Sequence, residues 1–123
     1  MKANELQELM EKYYYWDLRA SSLECNCFAD EVCLVYDDTV GNTVHYVFSG
    51  CYKVVFNHAK NYDKFQPVKN MKKEQLPYFL QDVKVMEQIE ECVHFFVCKI
   101  NMFPLFLEIW SKKIDIKREE SGR

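Results

Sequence analysis

Glycine and proline are scarce in this sequence, with three residues of each in 123. Long flexible or extended linkers depend on these residues, so we expect one domain spanning residues 1–123. No internal repeat or low-complexity tract interrupts the chain. Apolar residues make up 49% of it and aromatic residues 15%, a composition that excludes the disordered class. The net charge of −3 is too small to indicate a class of partner.

Long hydrophobic runs are also missing. The longest apolar stretches, residues 92–98 and 102–107, are far shorter than the roughly 20 residues that span a membrane. Glu5, Glu8 and Glu11 interrupt the N-terminal segment, where a secretory signal peptide would need an unbroken apolar core. We therefore expect a cytoplasmic protein with no membrane contact.

Six cysteines stand out in a chain of this size, and they could in principle form disulfides. However, they lie in apolar runs with strand-like alternation, and no export signal accompanies them. Free cysteine behaves as a small buried hydrophobe in a reducing compartment. We therefore expect reduced thiols packed in the core at Cys25, Cys27, Cys33, Cys51, Cys92 and Cys98.

Familiar catalytic and metal-binding patterns are absent from the sequence. It has no Gly-x-Ser-x-Gly elbow, no phosphate-binding loop and no dinucleotide fingerprint. Cys25 and Cys27 are separated by one residue, whereas structural zinc sites use a spacing of about two to four. His94 and Cys98 share a predicted strand face but would lie roughly 13 Å apart, too far for a nucleophile and its base. We expect no catalytic residue, no metal and no other cofactor.

Residues 16–58 organise the predicted fold. Alternation of apolar and polar residues recurs there in four short runs separated by turn-forming residues, which is typical of an antiparallel β-meander. Ser49 and Gly50 mark the predicted boundary between the third and fourth strands. A helix is predicted before the meander, over residues 4–15, because apolar side chains recur there at helical spacing after an acceptable N-cap, Asn4.

The second half returns to a β pattern after a loop. Residues 59–73 lack clear periodicity and contain Pro67, so we predict a long basic loop that ends in a short helical turn. Strand patterns follow over residues 78–117, and residues 118–123 are expected to fray. The pattern leaves open whether this second group of strands continues the first sheet or packs on it.

The last predicted strand changes parity along its length. Its apolar residues occupy odd positions from Leu105 to Ile109 and even positions at Ile114 and Ile116. A β-bulge near residues 111–113 would return them to one buried face, because one extra residue reverses which face a side chain occupies. The predicted fold class is therefore α+β, an antiparallel sheet of about seven strands with an N-terminal helix.

Acidic residues cluster at predicted turns, where solvation alone accounts for them. Acid–base catalysis would require a cleft that brings such groups together, and no pattern predicts one. Their other use is as an acidic rim that recognises a basic protein partner through charge complementarity. The candidates for this role are Asp37, Asp38, Glu87, Glu90 and Glu91.

Residues 53–73 have the opposite charge. Six lysines and one aspartate give this segment a net charge of +5, which leaves −8 for the rest of the chain. Aromatic residues interleave with the lysines, as in a stacking platform for single-stranded nucleic acid. Arginine and any known nucleic-acid-binding motif are missing from the segment, so a solvated basic loop is the simpler interpretation. The alternative is a nucleic-acid-binding module that uses Lys60, Lys64, Lys69, Lys72 and Lys73.

Three motifs carry a resemblance to a known group of proteins. They are Trp16-Asp17 with the later run VHYVFSGCYKV at 44–54, YFLQDV at 78–83, and INMFPL at 100–105. Together these motifs resemble small β-rich bacterial proteins that include immunity proteins of polymorphic and contact-dependent toxin systems. Such proteins often have His-Asp where this chain has Trp16-Asp17, so no role can be transferred to a histidine there.

The resemblance, which extends from Trp16 to about Lys117, implies a non-enzymatic protein-binding domain. Such a domain would bind a cognate bacterial toxin and block it stoichiometrically. The resemblance supplies no catalytic residue and no cofactor. Two alternatives remain beside it: the nucleic-acid-binding module described above, and a self-associating structural domain that forms a homo-oligomer through a free sheet edge.

Overall fold

The computed structural model describes residues 1–62 and 66–120. The described chain forms one α-helix and one six-stranded antiparallel sheet, which confirms the predicted α+β class. Helix α1 spans Ala3–Lys12, and the strands are β1 Ala20–Asn26, β2 Glu31–Asp37, β3 Asn42–His58, β4 Asp82–Glu90, β5 Val93–Met102 and β6 Leu105–Glu120. Two short 3-10 turns, Val68–Asn70 and Lys73–Gln75, lie in the connection before β4.

The sheet consists of two meanders joined along a long central ladder between β3 and β6. The strand order is β1-β2-β3-β6-β5-β4, so the second group of strands continues the first sheet. On the outer side of β3, β2 pairs with residues 43–49; on the outer side of β6, β5 pairs with residues 105–111. The two meanders therefore flank opposite halves of the ladder, and their turns approach its middle.

The break predicted at Ser49 and Gly50 bends a strand but does not end one. Strand β3 continues through Gly50, whose φ of +63° is a conformation that side chains rarely adopt. A Cβ added at Gly50 would lie 3.3 Å from Cβ of Lys112 on β6, which is tighter than most such contacts. The ladder register shifts just after this kink, between Cys51 and Lys53. A bulge tolerates such a break within one strand, so the sheet has six strands in the described residues, and not about seven.

The change of parity predicted in the last strand is present in β6. Leu105, Leu107, Ile109 and Ile114 are buried, and Ile116 packs against the same core. The register shift that the ladder records lies on β3, where Tyr52 is the extra residue, and not at residues 111–113 of β6.

Three predicted boundaries are wrong. Helix α1 begins at Ala3, and the amide of Lys2 donates to Oε1 of Glu5 at 2.7 Å. The helix ends at Lys12 and not at residue 15, because the chain reverses at Tyr14 with a φ of +53°. The first strand likewise begins at Ala20, after that turn, and not at residue 16.

The chain end also differs from the prediction. Residues 118–120 do not fray, because they continue β6 opposite residues 42–44 of β3. Residues 121–123 lie outside the described part of the chain. The strand end is therefore held by ladder pairing and by the contacts of Arg118 described below.

The outer edges of the sheet meet through short segments next to β1 and β4. The amide of Ala20 donates to the carbonyl of Tyr78 at 2.8 Å, and the amide of Leu80 donates to the carbonyl of Leu18 at 2.9 Å. The sheet curls around a core of apolar side chains, including fully buried Tyr36 from β2. The largest fully buried members are Tyr15, Tyr36, Tyr46, Phe48, Leu6, Met10, Leu34, Leu80, Ile100 and Met102.

Helix α1 covers the exposed edge of β4 with polar side chains. The Gln7 amide nitrogen donates to the carbonyl of Val83 at 2.7 Å, and its oxygen accepts from the amide of Val85 at 2.8 Å. The Tyr15 hydroxyl accepts from the amide of Val83 at 3.2 Å. These bonds occupy backbone groups that a neighbouring strand would otherwise pair with, so this part of the edge is protected from self-association.

The cysteines do not form one buried group. Cys98 is buried, and burial raises the pKa of its thiol; Cys51 is half-buried, and burial raises its pKa to about 11. The prediction of core packing is wrong for Cys25, Cys27 and Cys92, which are exposed because they lie in or next to hairpin turns. All six thiols are free.

Candidate partner-binding surface

A groove of about 360 Å³ opens where the turns of the two meanders approach the kink in β3. We call it the tip groove. The side chains that give it its chemical character are Asp30 from the β1–β2 turn, Tyr52 from β3, Glu90 and Glu91 from the β4–β5 hairpin, Phe95 from β5 and Lys112 from β6. Four separate parts of the chain therefore contribute to one surface.

Aromatic rings form the floor of the tip groove. Tyr52 stacks on Phe95, with ring centroids 4.9 Å apart and planes at 22°, and both rings meet the edge of Trp110 at 6.2 Å. Phe95 is 5% exposed, whereas Tyr52 is 61% exposed. These rings lie outside the main core cluster. The extra residue of the β3 bulge is Tyr52 itself, so the same irregularity that bends the strand supplies the exposed ring.

Trp110 is held in place at the side of this floor. Its indole nitrogen donates to Oε2 of Glu108 at 2.8 Å, and Nζ of Lys53 lies 5.5 Å from the centroid of its ring. Contacts on several sides fix the orientation of the indole. The aromatic floor is therefore already ordered without a partner.

The β1–β2 turn at the rim has an uncommon backbone. Cys27, Phe28 and Ala29 have φ values of 55°, 56° and 67°, so three consecutive residues other than glycine are left-handed. The amide of Asp30 closes the turn by donating to the carbonyls of Asn26 at 3.1 Å and Cys27 at 3.0 Å. We call residues 27–29 the left-handed turn. Its central side chain, Phe28, is fully exposed.

The β4–β5 hairpin forms the opposite rim. Glu91 and Cys92 have φ values of 49° and 67°, as a two-residue hairpin turn of the I′ type requires. Glu90 and Glu91 are exposed, and neither carboxylate forms an ion pair or hydrogen bond with the described residues. The two carboxylates are therefore free to interact with another molecule.

The other acidic candidates lie elsewhere. Asp37 and Asp38 are at the β2–β3 end, where Asp38 is only 7% exposed and accepts from the amides of Asn42 at 2.8 Å and Val40 at 3.0 Å and from Nε of Arg118 at 3.1 Å. Burial opposes ionisation of Asp38, but these hydrogen bonds prevail and lower its pKa. The carboxylate of Asp37 pairs with Lys73.

Glu87 lies on β4 and contacts the start of helix α1. Its carboxylate accepts from the amide of Ala3 at 2.8 Å and pairs with Nε2 of His94 at 2.8 Å. The hydrogen bond from Ala3, followed by that from His94, lowers the pKa of Glu87. Of the five acidic candidates, the tip groove brings together Glu90 and Glu91, while Asp37, Asp38 and Glu87 hold parts of the fold.

The basic candidates do not form one platform with the aromatic residues of their segment. Lys60, Lys69 and Lys72 are exposed, Lys73 pairs with Asp37, and Lys64 lies outside the described residues. The aromatic residues are dispersed: Tyr52 is in the tip groove, Phe56 packs against the core, and Tyr62 meets Phe103 edge-on at 6.0 Å.

Two structural features are missing from the described chain. Within residues 1–62 and 66–120, no three His, Cys, Asp or Glu side chains are grouped as a metal site would require. In the same part of the chain, no helix has the length and apolar character needed to cross a membrane.

Sequence reasoning missed Phe28 as an exposed side chain, and Phe95 and Trp110 as the support of the aromatic floor. Alternation continues as far as Phe28, so the sequence pattern places this residue in a strand. A usable signal existed for Phe95, since apolar residues occupy both faces of the strand from Val93 to Cys98. A strand that is apolar on both faces must be covered on both, and here Trp110 and Tyr52 cover the outer face.

Comparison with known families agrees with the resemblance of the sequence motifs. A profile of the family described as "Immunity protein PIM7" matches residues 2–118. Comparison with individual curated proteins finds no match. Because the profile spans nearly the whole chain, the protein belongs to the PIM7 immunity protein family.

Proposed function

We propose that this protein is a non-enzymatic inhibitor that binds a cognate bacterial toxin and blocks it, and that the tip groove is its binding surface. Family membership supports the inhibitory role. The observation that supports this surface is the exposed ring of Tyr52, stacked on an ordered aromatic floor beside carboxylates that have no partner within the described chain.

The floor has the properties of an energetic centre in a protein interface. Tyrosine and tryptophan dominate such centres because they bury a large area and lose little conformational freedom on binding. Tyr52 is already held by Phe95 and Trp110, so its side chain loses little conformational entropy when a partner covers it.

The rim favours a basic partner surface. Asp30, Glu90 and Glu91 outnumber the one cation of the tip groove, Lys112, and lie at its margins. Charges at such a rim accelerate association and select complementary partners more than they add affinity. We therefore propose that the toxin contacts the tip groove with lysine or arginine side chains around an apolar centre.

We further propose that the protein acts in the cytoplasm. Three of its six free thiols are exposed, at Cys25, Cys27 and Cys92. Exposed thiols persist in a reducing compartment and are prone to oxidation outside one.

The proposal is tested by Tyr52→Ala, with binding to the purified toxin measured by calorimetry and protection measured by growth of cells that express the toxin. We expect at least about a 30-fold loss of affinity, as for other central interface aromatics, together with loss of protection. Lys69→Ala, an exposed site in the loop before β4, is the matched control.

Unchanged affinity of a folded Tyr52→Ala variant would contradict this choice of surface. A partner that proves to be nucleic acid, bound at low salt and released at high salt, would instead favour the basic segment, and replacing Lys60, Lys69 and Lys72 would then flatten the salt dependence.

A further inference from the structure

We propose that Phe28 is an anchor residue that inserts into an apolar pocket of the toxin while the neighbouring tip groove covers the surface around that pocket. This inference rests on the proposed function and specifies the chemistry of the partner. An anchor residue must be exposed, held by a rigid backbone and close to the rest of the binding surface. Phe28 in the left-handed turn meets each requirement.

Exposure comes first. Phe28 is fully accessible, and its ring makes no aromatic or cation contact with the described chain. Other exposed aromatic residues differ: Phe103 meets both Tyr62 and Phe106, and Tyr52 stacks on Phe95. A phenylalanine ring buries roughly 150–250 Å² when it is covered, and here that whole surface is available to a partner.

Rigidity follows from the hydrogen bonds of the turn. The amide of Asp30 is bound to two carbonyls across the turn, and the carbonyl of Asp30 accepts from the amide of Cys51 at 3.0 Å. The hydrogen bond from Cys51 attaches the turn to the kink in β3. The backbone that carries Phe28 is therefore fixed before binding, which reduces the entropy lost when a partner encloses the ring.

Phe28 lies next to the tip groove in the chain. Asp30 lies two residues after Phe28 and belongs to the rim of the groove. One partner surface can therefore enclose Phe28 and cover Tyr52 at the same time. The matching toxin surface has an apolar pocket that is flanked by basic side chains, which face Asp30, Glu90 and Glu91.

Backbone strain supports a role for this turn in binding. Left-handed residues other than glycine usually occur singly, because Cβ approaches the following carbonyl oxygen. Three in a row are retained here without any glycine. Strained conformations of this kind concentrate at ligand contacts and active sites, and the strain here turns a large apolar ring outward.

The test compares Phe28→Ala with Tyr52→Ala and with Val40→Ala, an exposed apolar residue in the turn at the other end of the molecule. We expect Phe28→Ala to leave the urea midpoint unchanged and to weaken toxin binding at least about 30-fold, mainly through faster dissociation. Phe28→Leu should recover part of the affinity, and Val40→Ala should bind as the unaltered protein does.

The possible results separate this inference from the proposed function. Normal toxin binding by Phe28→Ala, together with weak binding by Tyr52→Ala, would overturn the anchor and keep the groove. Normal binding by both variants would overturn the proposed surface as well. If light scattering shows that the unaltered protein dimerises and Phe28→Ala does not, the pocket belongs to a second copy, and the inference of a toxin pocket is overturned.

Discussion

The two ends of the sheet use acidic hairpin turns in opposite ways. At the β2–β3 end, Asp38 caps its own turn and binds Arg118, Asp37 pairs with Lys73, and Gly41 takes the left-handed position with a φ of 90°. At the tip groove, residues other than glycine are left-handed, the carboxylates have no described partner, and apolar rings are exposed. At the β2–β3 end the carboxylates are paired within the chain, whereas at the tip groove they are available to another molecule.

The difference shows that an acidic pair at a turn has no fixed role. Its role depends on cations that come from distant parts of the sequence. Asp38 and Arg118 are 80 positions apart, and Asp37 and Lys73 are 36 apart. Local pattern places a carboxylate at a turn, but it cannot show whether a distant strand will bring a cation to it.

The largest effect expected from this comparison is on stability. Asp38→Ala removes the acceptor for two turn amides and leaves Arg118 without its carboxylate, so we expect a loss of about 2 kcal/mol in the free energy of unfolding. Urea denaturation would measure it. Toxin affinity of the folded variant should be unchanged; a loss of affinity comparable to that of Tyr52→Ala would show that this end also binds.

The same residue gives a pH dependence. The folded-state pKa of Asp38 is below its unfolded value of about 3.9. The contribution of this carboxylate to the free energy of unfolding is therefore fully present above about pH 3.9 and is lost as the pH falls through the folded-state pKa. The unaltered protein should therefore lose more stability than Asp38→Asn between about pH 5 and the acid limit. Equal acid sensitivity of the two proteins would contradict the assigned role.

An intermediate effect is expected at the opposite end. Reversing both rim charges, with Glu90→Lys and Glu91→Lys together, should weaken toxin binding about tenfold, because it places cations against a basic partner. Surface plasmon resonance should show that the double variant associates more slowly than the unaltered protein. The difference between the two association rates should become smaller at high salt. The matched control is Glu8→Lys on helix α1, and a double variant that associates at the normal rate would exclude a charged rim.

The smallest effect expected is a gain in stability. Ala29→Gly removes the Cβ from a left-handed residue, so the free energy of unfolding should rise by about 1 kcal/mol. Ala20→Gly provides the contrast, since Ala20 is buried in β1 and its replacement should destabilise. A fall in the urea midpoint of Ala29→Gly would show that the left-handed turn is not strained.

Much of the fold could be predicted because alternation is a local property. The strand patterns predicted over residues 78–117 contain β4, β5 and most of β6, and the parity change in β6 follows from the positions of Ile109 and Ile114. The kink at Gly50 could not be distinguished from a strand end, since Ser-Gly is typical of turns and only the ladder to β6 carries the strand through it. The exposed cysteines were missed for a similar reason, because alternation cannot show where a strand ends and its hairpin turn begins.

The candidate site was less predictable than the fold. Glu90 and Glu91 were identified by charge alone, whereas Tyr52 and Phe95 become neighbours through a bulge and two ladders. Phe28 depends on a backbone conformation that its sequence does not favour. Sites assembled from several strands therefore require the tertiary structure to be recognised.

The central ladder has a consequence for how the chain folds. Its paired residues are between 47 positions apart, for His58 and Leu105, and 78 positions apart, for Asn42 and Glu120. Such distant pairs form slowly, on a scale of roughly milliseconds to seconds for sheets of this kind, because a long loop must close first. The first meander supplies β3 to the central ladder and the second supplies β6. Neither half is therefore a complete folding unit, and the two halves should form and melt together.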